Sequence, residues 1–207
     1  MRAAIGCALA VASTLACDRA PRSPESPAPP STLATAPSVA LPQDVVALLA
    51  ARGRGVRPYG TSRGEVGVVA DVASSEWRRV VDELQRAAGL GVTAYAADEP
   101  TGATVRVALV RVDDPLEPLR FAGTSGTRPG LDADELITRV RAWDASFGVS
   151  LKGASDRWLA IKPVFRVPPD VLAAEAAELC EPQPGVLASD DVAAAIERDD
   201  LLSCRLR

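Results

Sequence analysis

The sequence predicts an α/β (mixed α+β) fold in which a single mixed β-sheet is covered by helices. Helical patterns and β-branched runs interleave from about residue 41 to residue 207, which is typical of a sheet with helices packed on it. Hydrophobic residues make up 47% of the 207 residues and charged residues 24%, which is enough for one well-buried domain with appendages and tight for two. We therefore expect one globular domain over residues 41–207.

Residues 1–16 predict an export signal. Arg2 precedes an uncharged, Ala-rich stretch, residues 3–16, which is too short to span a hydrocarbon core that needs about 20 residues. The stretch ends in Ser13-Thr14-Leu15-Ala16-Cys17, which resembles a lipoprotein signal, although Leu is more usual where Thr14 stands. This resemblance implies a diacylglyceryl group on Cys17. The alternative is an ordinary secretory signal cut at a small residue nearby.

Residues 17–40 predict a lipidated cysteine followed by a tether. Six prolines lie among Ser, Ala and Thr between residues 18 and 39, a composition that cannot bury a core and favours extended conformations. Acyl chains on Cys17 would hold the chain on a bilayer. The predicted location is the cell envelope, as a membrane-anchored lipoprotein that faces the periplasm or the exterior.

The first half of the domain is predicted from its periodicity and its Gly and Pro signals. The expected elements are a short helix from Pro42 to Gly53, a buried strand at residues 65–72, a helix from Ser74 or Ser75 to Gly89, and adjacent strands at residues 92–96 and 104–112. Before the strand at residues 65–72, four arginines surround Pro58-Tyr59-Gly60: Arg52, Arg54, Arg57 and Arg63. This segment favours a solvated loop, with contact to lipid headgroups as the alternative.

The second half begins after a Gly-rich loop, residues 123–130. Asp132-Ala133-Asp134-Glu135 resembles a capping box, and apolar residues from Leu136 to Phe147 recur at helical spacing. The later expected elements are strands near residues 149–152 and 157–165, a helix from Pro168 to Cys180, a last helix from Ser189 to Arg198, and a strand at residues 201–206. Trp77, Trp143 and Trp158 are expected in the core.

Composition excludes several classes of function. The chain has no histidine, which excludes Ser-His and Cys-His mechanisms. Cys7 and Cys17 lie in the export segment, so only Cys180 and Cys204 belong to the folded part, and two thiols without His cannot build a usual closed zinc site. Lys and Arg number 23 against 27 Asp and Glu, with no basic run, so no nucleic-acid partner is expected. We expect no metal and no cofactor.

Several motifs stand in a recognisable order along roughly residues 75–207. They are Arg120-Phe121-Ala122-Gly123-Thr124-Ser125-Gly126, the helix at residues 134–143, Phe147-Gly148, Gly153-Ala154, Asp156-Arg157-Trp158, Pro168-Pro169-Asp170, the Ala-Glu-rich helix into Cys180, and the last helix and strand. In these motifs the chain resembles an uncharacterised bacterial family, domain of unknown function 4253. Family members usually continue the cysteine as Cys-Pro-Asp with a Gln-Gly pair and end in a Trp-Trp-Asp strand. This chain departs from both patterns, and since the family has no established activity, the resemblance implies a fold and no function.

The order of elements shared with that family implies one covalent bond. If the terminal strand lies near the end of the Cys180 helix, Cys204 meets Cys180, and an oxidising compartment would preserve a disulfide between them. The alternative is two separate buried thiols.

Two kinds of candidate site are visible in the sequence. Gly123, Thr124, Ser125 and Gly126 precede a helix and are a possible ligand loop for an anion, with a purely structural turn as the alternative. Carboxylates cluster at Asp113-Asp114, Asp132-Asp134-Glu135, Asp190-Asp191 and Asp199-Asp200, and each cluster has an ordinary place at a strand or helix end.

Three hypotheses for function follow. The first is a membrane-tethered, non-enzymatic module that binds an envelope protein or a small ligand. The second is an enzyme that uses carboxylates and Tyr59 or Lys162, and it requires two acids in one deep pocket with raised pKa values. The third is a structural envelope protein, which would show a large apolar patch and no pocket.

Overall fold

The computed structural model describes residues 40–61, 64–126, 130–180 and 200–206, together with positions 194, 196 and 198. Within this part of the chain, a single seven-stranded sheet has helices on both faces, which confirms the predicted fold class. The helices are α1 (Gln43–Arg52), α2 (Trp77–Ala88), α3 (Glu117–Phe121), α4 (Ala133–Phe147) and α5 (Pro169–Leu179). The strands are β1 (Arg54–Thr61), β2 (Gly64–Ala73), β3 (Val92–Ala96), β4 (Thr104–Arg111), β5 (Val149–Ala154), β6 (Trp158–Pro163) and β7 (Leu202–Arg205).

The strands lie in the order β1-β2-β4-β3-β5-β6-β7. All neighbours are antiparallel except β3 and β5, which are parallel, so the sheet is mixed. The pairing of β3 with β5 joins the sheet's first four strands to its last three.

Two hydrophobic cores lie on the two faces of the sheet. One contains the apolar faces of α3, α4 and α5, and the other contains those of α1 and α2. Side chains alternate between the cores along each strand: in β6, Leu159 and Ile161 join the first core and Trp158 and Ala160 the second. The predicted core positions of Trp77, Trp143 and Trp158 are confirmed, since all three are buried.

Helix α4 begins as the capping pattern predicts. The Asp132 side chain accepts hydrogen bonds from the backbone N–H groups of Asp134 and Glu135, at 3.0 and 2.9 Å. These bonds satisfy two of the donors that a helix leaves unpaired at its start.

The prediction of a solvated loop after α1 is wrong. Residues 54–61 form the edge strand β1, which pairs antiparallel with β2. The Arg57 guanidinium forms two hydrogen bonds to the carboxylate of Asp71 across this pairing, at 3.1 and 3.0 Å. An edge strand tolerates charged residues and Pro58 because one of its sides has no partner strand. Arg63 lies outside the described residues. Helix α3 was also not predicted.

The disulfide is confirmed. Cys180, at the end of α5, and Cys204, in β7, form a bond of 2.03 Å with their Cα atoms 5.6 Å apart. A backbone bridge between Cys180 and Leu206 lies beside it. The terminal strand is thereby tied to the helix that covers it.

Several predictions fall outside the described residues: the signal at residues 1–16, Cys17 and nearly all of the tether, the pair Asp190-Asp191, and most of the last helix. Within the described part of the chain, no helix has both the length and the apolar character needed to cross a bilayer.

Candidate functional site

A cleft of about 520 Å³ opens between α2 and the strands β5 and β6. Pockets that bind small molecules have volumes of about 300–1,000 Å³, so this cleft is large enough for a ligand. The residues that line it come from α2, from the two strands and from the position directly after β6: Asp82, Gln85, Arg86, Ser150, Lys152, Lys162, Pro163 and Val164.

Strand alternation places the polar side chains in this cleft. In β5, Leu151 packs into the core under α4, so its neighbours Ser150 and Lys152 face the α2 side of the sheet. In β6, Ile161 joins the same core and Lys162 faces the α2 side. Ser150 and Lys162 are direct partners in the antiparallel register.

Hydrogen bonds of the Gln85 side chain connect α2 to the strands β3 and β5. Its Nε2 donates hydrogen bonds to the carbonyls of Ala94 and Leu151, at 2.8 and 2.7 Å. Its Oε1 accepts from Lys152 Nζ at 2.5 Å and from Ser150 Oγ at 3.1 Å. Both donors and both acceptor positions of the amide are in use, so Gln85 is held in one orientation and holds Lys152 in turn.

Lys152 is the buried cation of the cleft, with only 7% of the residue exposed. Its ammonium forms an ion pair with Asp82 Oδ1 at 2.6 Å in addition to the bond to Gln85. A lysine ammonium has three donors, and these two contacts use two of them. No third partner is present among the described residues. A buried charge is stabilised by pairing and hydrogen bonding, which both contacts supply here.

Lys162 is more exposed than Lys152 and forms a separate ion pair with a carboxylate. Its Nζ lies 2.6 Å from Asp200 Oδ2, in the turn that leads into β7. The hydrogen bond to Asp200 raises the pKa of Lys162, and the charges of Asp200 and Asp82 act in the same direction. Asp200 has a φ of 48°, the left-handed conformation that Asp adopts more readily than most residues. Arg86, at the rim, donates its Nε to the carbonyl of Asp82 at 3.1 Å.

The predicted ligand loop does not line this cleft. The backbone N–H groups of Gly123, Thr124, Ser125 and Gly126 donate to the carbonyls of Arg120, Leu119, Asp156 and Leu131. Thr124 is fully buried, and its hydroxyl has no hydrogen-bond partner among the described residues. All four backbone N–H groups of the loop are therefore hydrogen-bonded within the fold.

The residues named for the enzyme hypothesis do not come together. Tyr59 lies on the edge strand β1, and four strands separate β1 from the β6 strand that carries Lys162. Its hydroxyl accepts a hydrogen bond from Tyr95 at 3.1 Å, and burial raises the pKa of Tyr95. A general acid needs a raised pKa. The pKa values of Asp71, in the sheet, and of Asp114, before α3, are both lowered.

The described carboxylates of the other acidic clusters lie at the ends of helices and strands, as the sequence predicts. Asp114 accepts from the Leu116 N–H and pairs with Arg141, Asp132 caps α4, and Asp134 pairs with Arg120. Among the described members of these clusters, Asp200 is the one whose carboxylate pairs with a lysine of the cleft. In the described ranges, no group of three or more Cys, Asp or Glu side chains is placed to hold a metal ion.

Sequence reasoning named Lys162 but missed Lys152 and Gln85, although three signals point to them. Lys152 is a charged residue inside a strand, and Gln85 stands four residues after Val81 on the apolar stripe of α2. The third signal is compositional, because the whole chain contains only two lysines, Lys152 and Lys162, and every other cationic side chain is arginine. Both lysines line the same cleft.

The chain matches no protein-family model, no curated protein and no solved structure.

Proposed function

We propose that this chain is a cell-envelope lipoprotein whose folded domain binds a small ligand in the cleft between α2 and the strands β5 and β6. The acyl group on Cys17 would supply the membrane contact, and the Pro-rich tether would hold the domain away from the bilayer. The resemblance to domain of unknown function 4253 stays a prediction and assigns no activity.

One observation carries the proposal: a buried lysine, Lys152, is held at the wall of an open cleft with one donor unused by the described residues. A core that served stability alone would be more stable with an apolar side chain at this position, because burying a charge costs free energy that a single ion pair does not always return. A positioned, partly satisfied charge in a cleft of this volume is typical of a ligand site.

Binding is favoured over catalysis by the state of the two lysines. A nucleophilic lysine must lose its proton, and the hydrogen bond to Asp200 raises the pKa of Lys162, which favours its charged form. Lys152 is held as a hydrogen-bond donor to Gln85 and as the ion-pair partner of Asp82.

The ligand site is tested by a screen with a matched pair of variants. A fragment library of acids, amines and neutral compounds is added to the ¹⁵N-labelled protein, and amide shifts are followed. We expect hits that move residues 82–86, 150–152 and 162–164. Val164→Trp fills the cleft mouth and should abolish these hits. Val171→Trp, at an exposed valine of α5, should keep them.

Two results would contradict the ligand site. The first is a library without hits in these segments, and the second is a set of hits that Val164→Trp leaves unchanged.

The membrane anchor has a separate test. Replacing Cys17 by Ser should release the protein to the soluble fraction or block its processing, because the acylated thiol is lost. Cys7→Ser is the matched control and should stay membrane-bound and normally processed. A Cys17→Ser protein that is processed and membrane-bound would refute lipidation at this residue.

A further inference from the structure

The charges of the cleft limit the charge of its ligand. The cations are Arg86, Lys152 and Lys162, and the carboxylates paired with the two lysines are Asp82 and Asp200. Among the described residues, this leaves an excess of one positive charge. A ligand with a single negative charge would neutralise it, whereas a cation or a dianion would leave a net charge in the site.

The apolar part of the lining lies beside these cations. Pro163 ends β6 directly after Lys162, and Val164, which follows it, is 61% exposed. A ligand that placed its charge between the lysines would lay its neighbouring atoms on this surface. Burying apolar area stabilises a complex by about 25 cal/mol per Å² before the costs of association.

From these observations we propose that the cleft binds a small organic carboxylate with an apolar group next to its carboxyl. The unused donor of Lys152, the Lys162 ammonium and the Arg86 guanidinium face the carboxylate, and Pro163 and Val164 face the apolar group. The inference rests on the proposed ligand-binding function and adds the chemical class of the ligand.

The position of the cleft on α2 disfavours a phosphate. A phosphate monoester carries a charge of about −1.5 to −2 at neutral pH, and it would lie near the carboxylates of Asp82 and Asp200. Phosphates bind at helix N-termini, where the backbone presents N–H groups and positive partial charge. Asp82 lies at the middle of α2, and Gln85 and Arg86 lie nearer its C-terminal end, which has negative partial charge.

The presence of two lysines in the chain allows a direct test. Lysine labelled with ¹³C at Cε gives two resonances from side chains, which Lys152→Arg and Lys162→Arg assign. The probes are matched acid and amide pairs: N-acetylphenylalanine, N-acetylleucine and benzoate with their primary amides. Phenyl phosphate and inorganic phosphate complete the panel.

We expect at least one acid to shift both lysine resonances and to bind about ten-fold or more tightly than its amide, since the amide lacks the charge-assisted hydrogen bonds. Phenyl phosphate should bind more weakly than the acid. Lys152→Met and Lys162→Met should each reduce the preference for acid over amide. Arg111→Met, which removes an exposed charge on β4, should leave the preference unchanged.

The outcomes separate this inference from the proposed function. Amides that bind as tightly as their acids, or a phosphate that binds more tightly than every acid, would overturn the carboxylate assignment and leave a ligand-binding cleft in place. If no probe of either kind moves the lysine or cleft resonances, the carboxylate inference fails, and the library screen then decides the proposed function. The comparison of acid with amide uses the wild-type chain, so it does not depend on a variant that folds.

Discussion

At the scale of single residues, Gly153 in β5 makes room for Trp158. A Cβ atom at position 153 would lie 2.2 Å from Cη2 and Cζ3 of the Trp158 ring. That ring also packs edge-on against Trp77, with centroids 5.9 Å apart, and donates its N–H to Ser203 Oγ at 3.1 Å. The ring therefore cannot move without losing both contacts.

We predict that Gly153→Ala lowers the free energy of unfolding by about 1–3 kcal/mol, because the added methyl group overpacks the core beneath α2. Gly102→Ala is the control, since its Cβ would meet no atom nearer than 3.8 Å, and it should change stability by about 0.5 kcal/mol or less. Urea unfolding measures both variants. Equal stabilities for the two would show that the Trp158 contact is not tight.

The roles of the two lysines depend on their positions in the fold. In the described part of the chain, arginine supplies exposed cations, as in the pairs of Arg57 with Asp71 and of Arg120 with Asp134. A lysine ammonium is compact, so it fits at position 152 beside Gln85 and Asp82, where a planar guanidinium would need more space. The composition alone does not show that both lysines share one cleft.

At the scale of elements, Asp114 joins the start of α3 to α4. Its Oδ1 accepts from the Leu116 N–H at 2.9 Å, and its Oδ2 lies 2.5 Å from Arg141 Nη2. Partial burial raises the pKa of Asp114, but these two hydrogen bonds and the charges of Arg141 and Arg120 together outweigh burial, and the pKa is lowered overall. A carboxyl with a lowered pKa in the folded state stabilises the fold in its charged form.

The pH dependence follows from that direction. The stabilisation by Asp114 is fully present above its unfolded pKa of about 3.9 and is lost as the pH falls through the lower folded value. We predict that Asp114→Asn is less stable than wild type at pH 6 and that the difference disappears in strong acid. Asp113→Asn, at the exposed neighbour, should follow the wild-type profile. Urea unfolding between pH 2 and pH 6 measures this, and a constant difference would contradict the assignment.

Elements with a strong local signal were predicted well. Helices α2 and α4 and strands β3 and β4 have apolar periodicity over most of their length, and their ends have Gly or a capping Asp. Strand β1 was missed because an edge strand needs no buried face, so its Arg, Gly and Pro residues resemble a loop. Helix α3 has only five residues, too few to show a helical period.

At the scale of the whole molecule, the Cys180–Cys204 disulfide fixes the last strand. It closes a loop with a sequence separation of 24 and ties β7 to the end of α5. In the chain-entropy picture, this bond stabilises the fold by about 3 kcal/mol. The same strand follows Asp200, which pairs with Lys162 in the cleft.

We predict that reduction lowers the free energy of unfolding by about 3 kcal/mol, because the unfolded chain regains the freedom that the bond removes. Denaturant unfolding with and without a phosphine reductant measures the effect. A Cys180→Ala/Cys204→Ala double variant should be insensitive to the reductant. A wild-type protein whose unfolding does not change on complete reduction would contradict this role.

The sequence by itself determined the class of fold, most of the helices and strands and the predicted core tryptophans, because apolar periodicity and end signals act over a few residues. The disulfide was predicted from a resemblance in the order of elements, and the tertiary structure shows the two cysteines bonded. Only the tertiary structure decided the strand order, and with it the cleft, since the pairing of β3 with β5 brings Gln85 to Lys152 across 67 residues of sequence. No local pattern records a contact between side chains that far apart, so the site became visible only once the sheet was assembled.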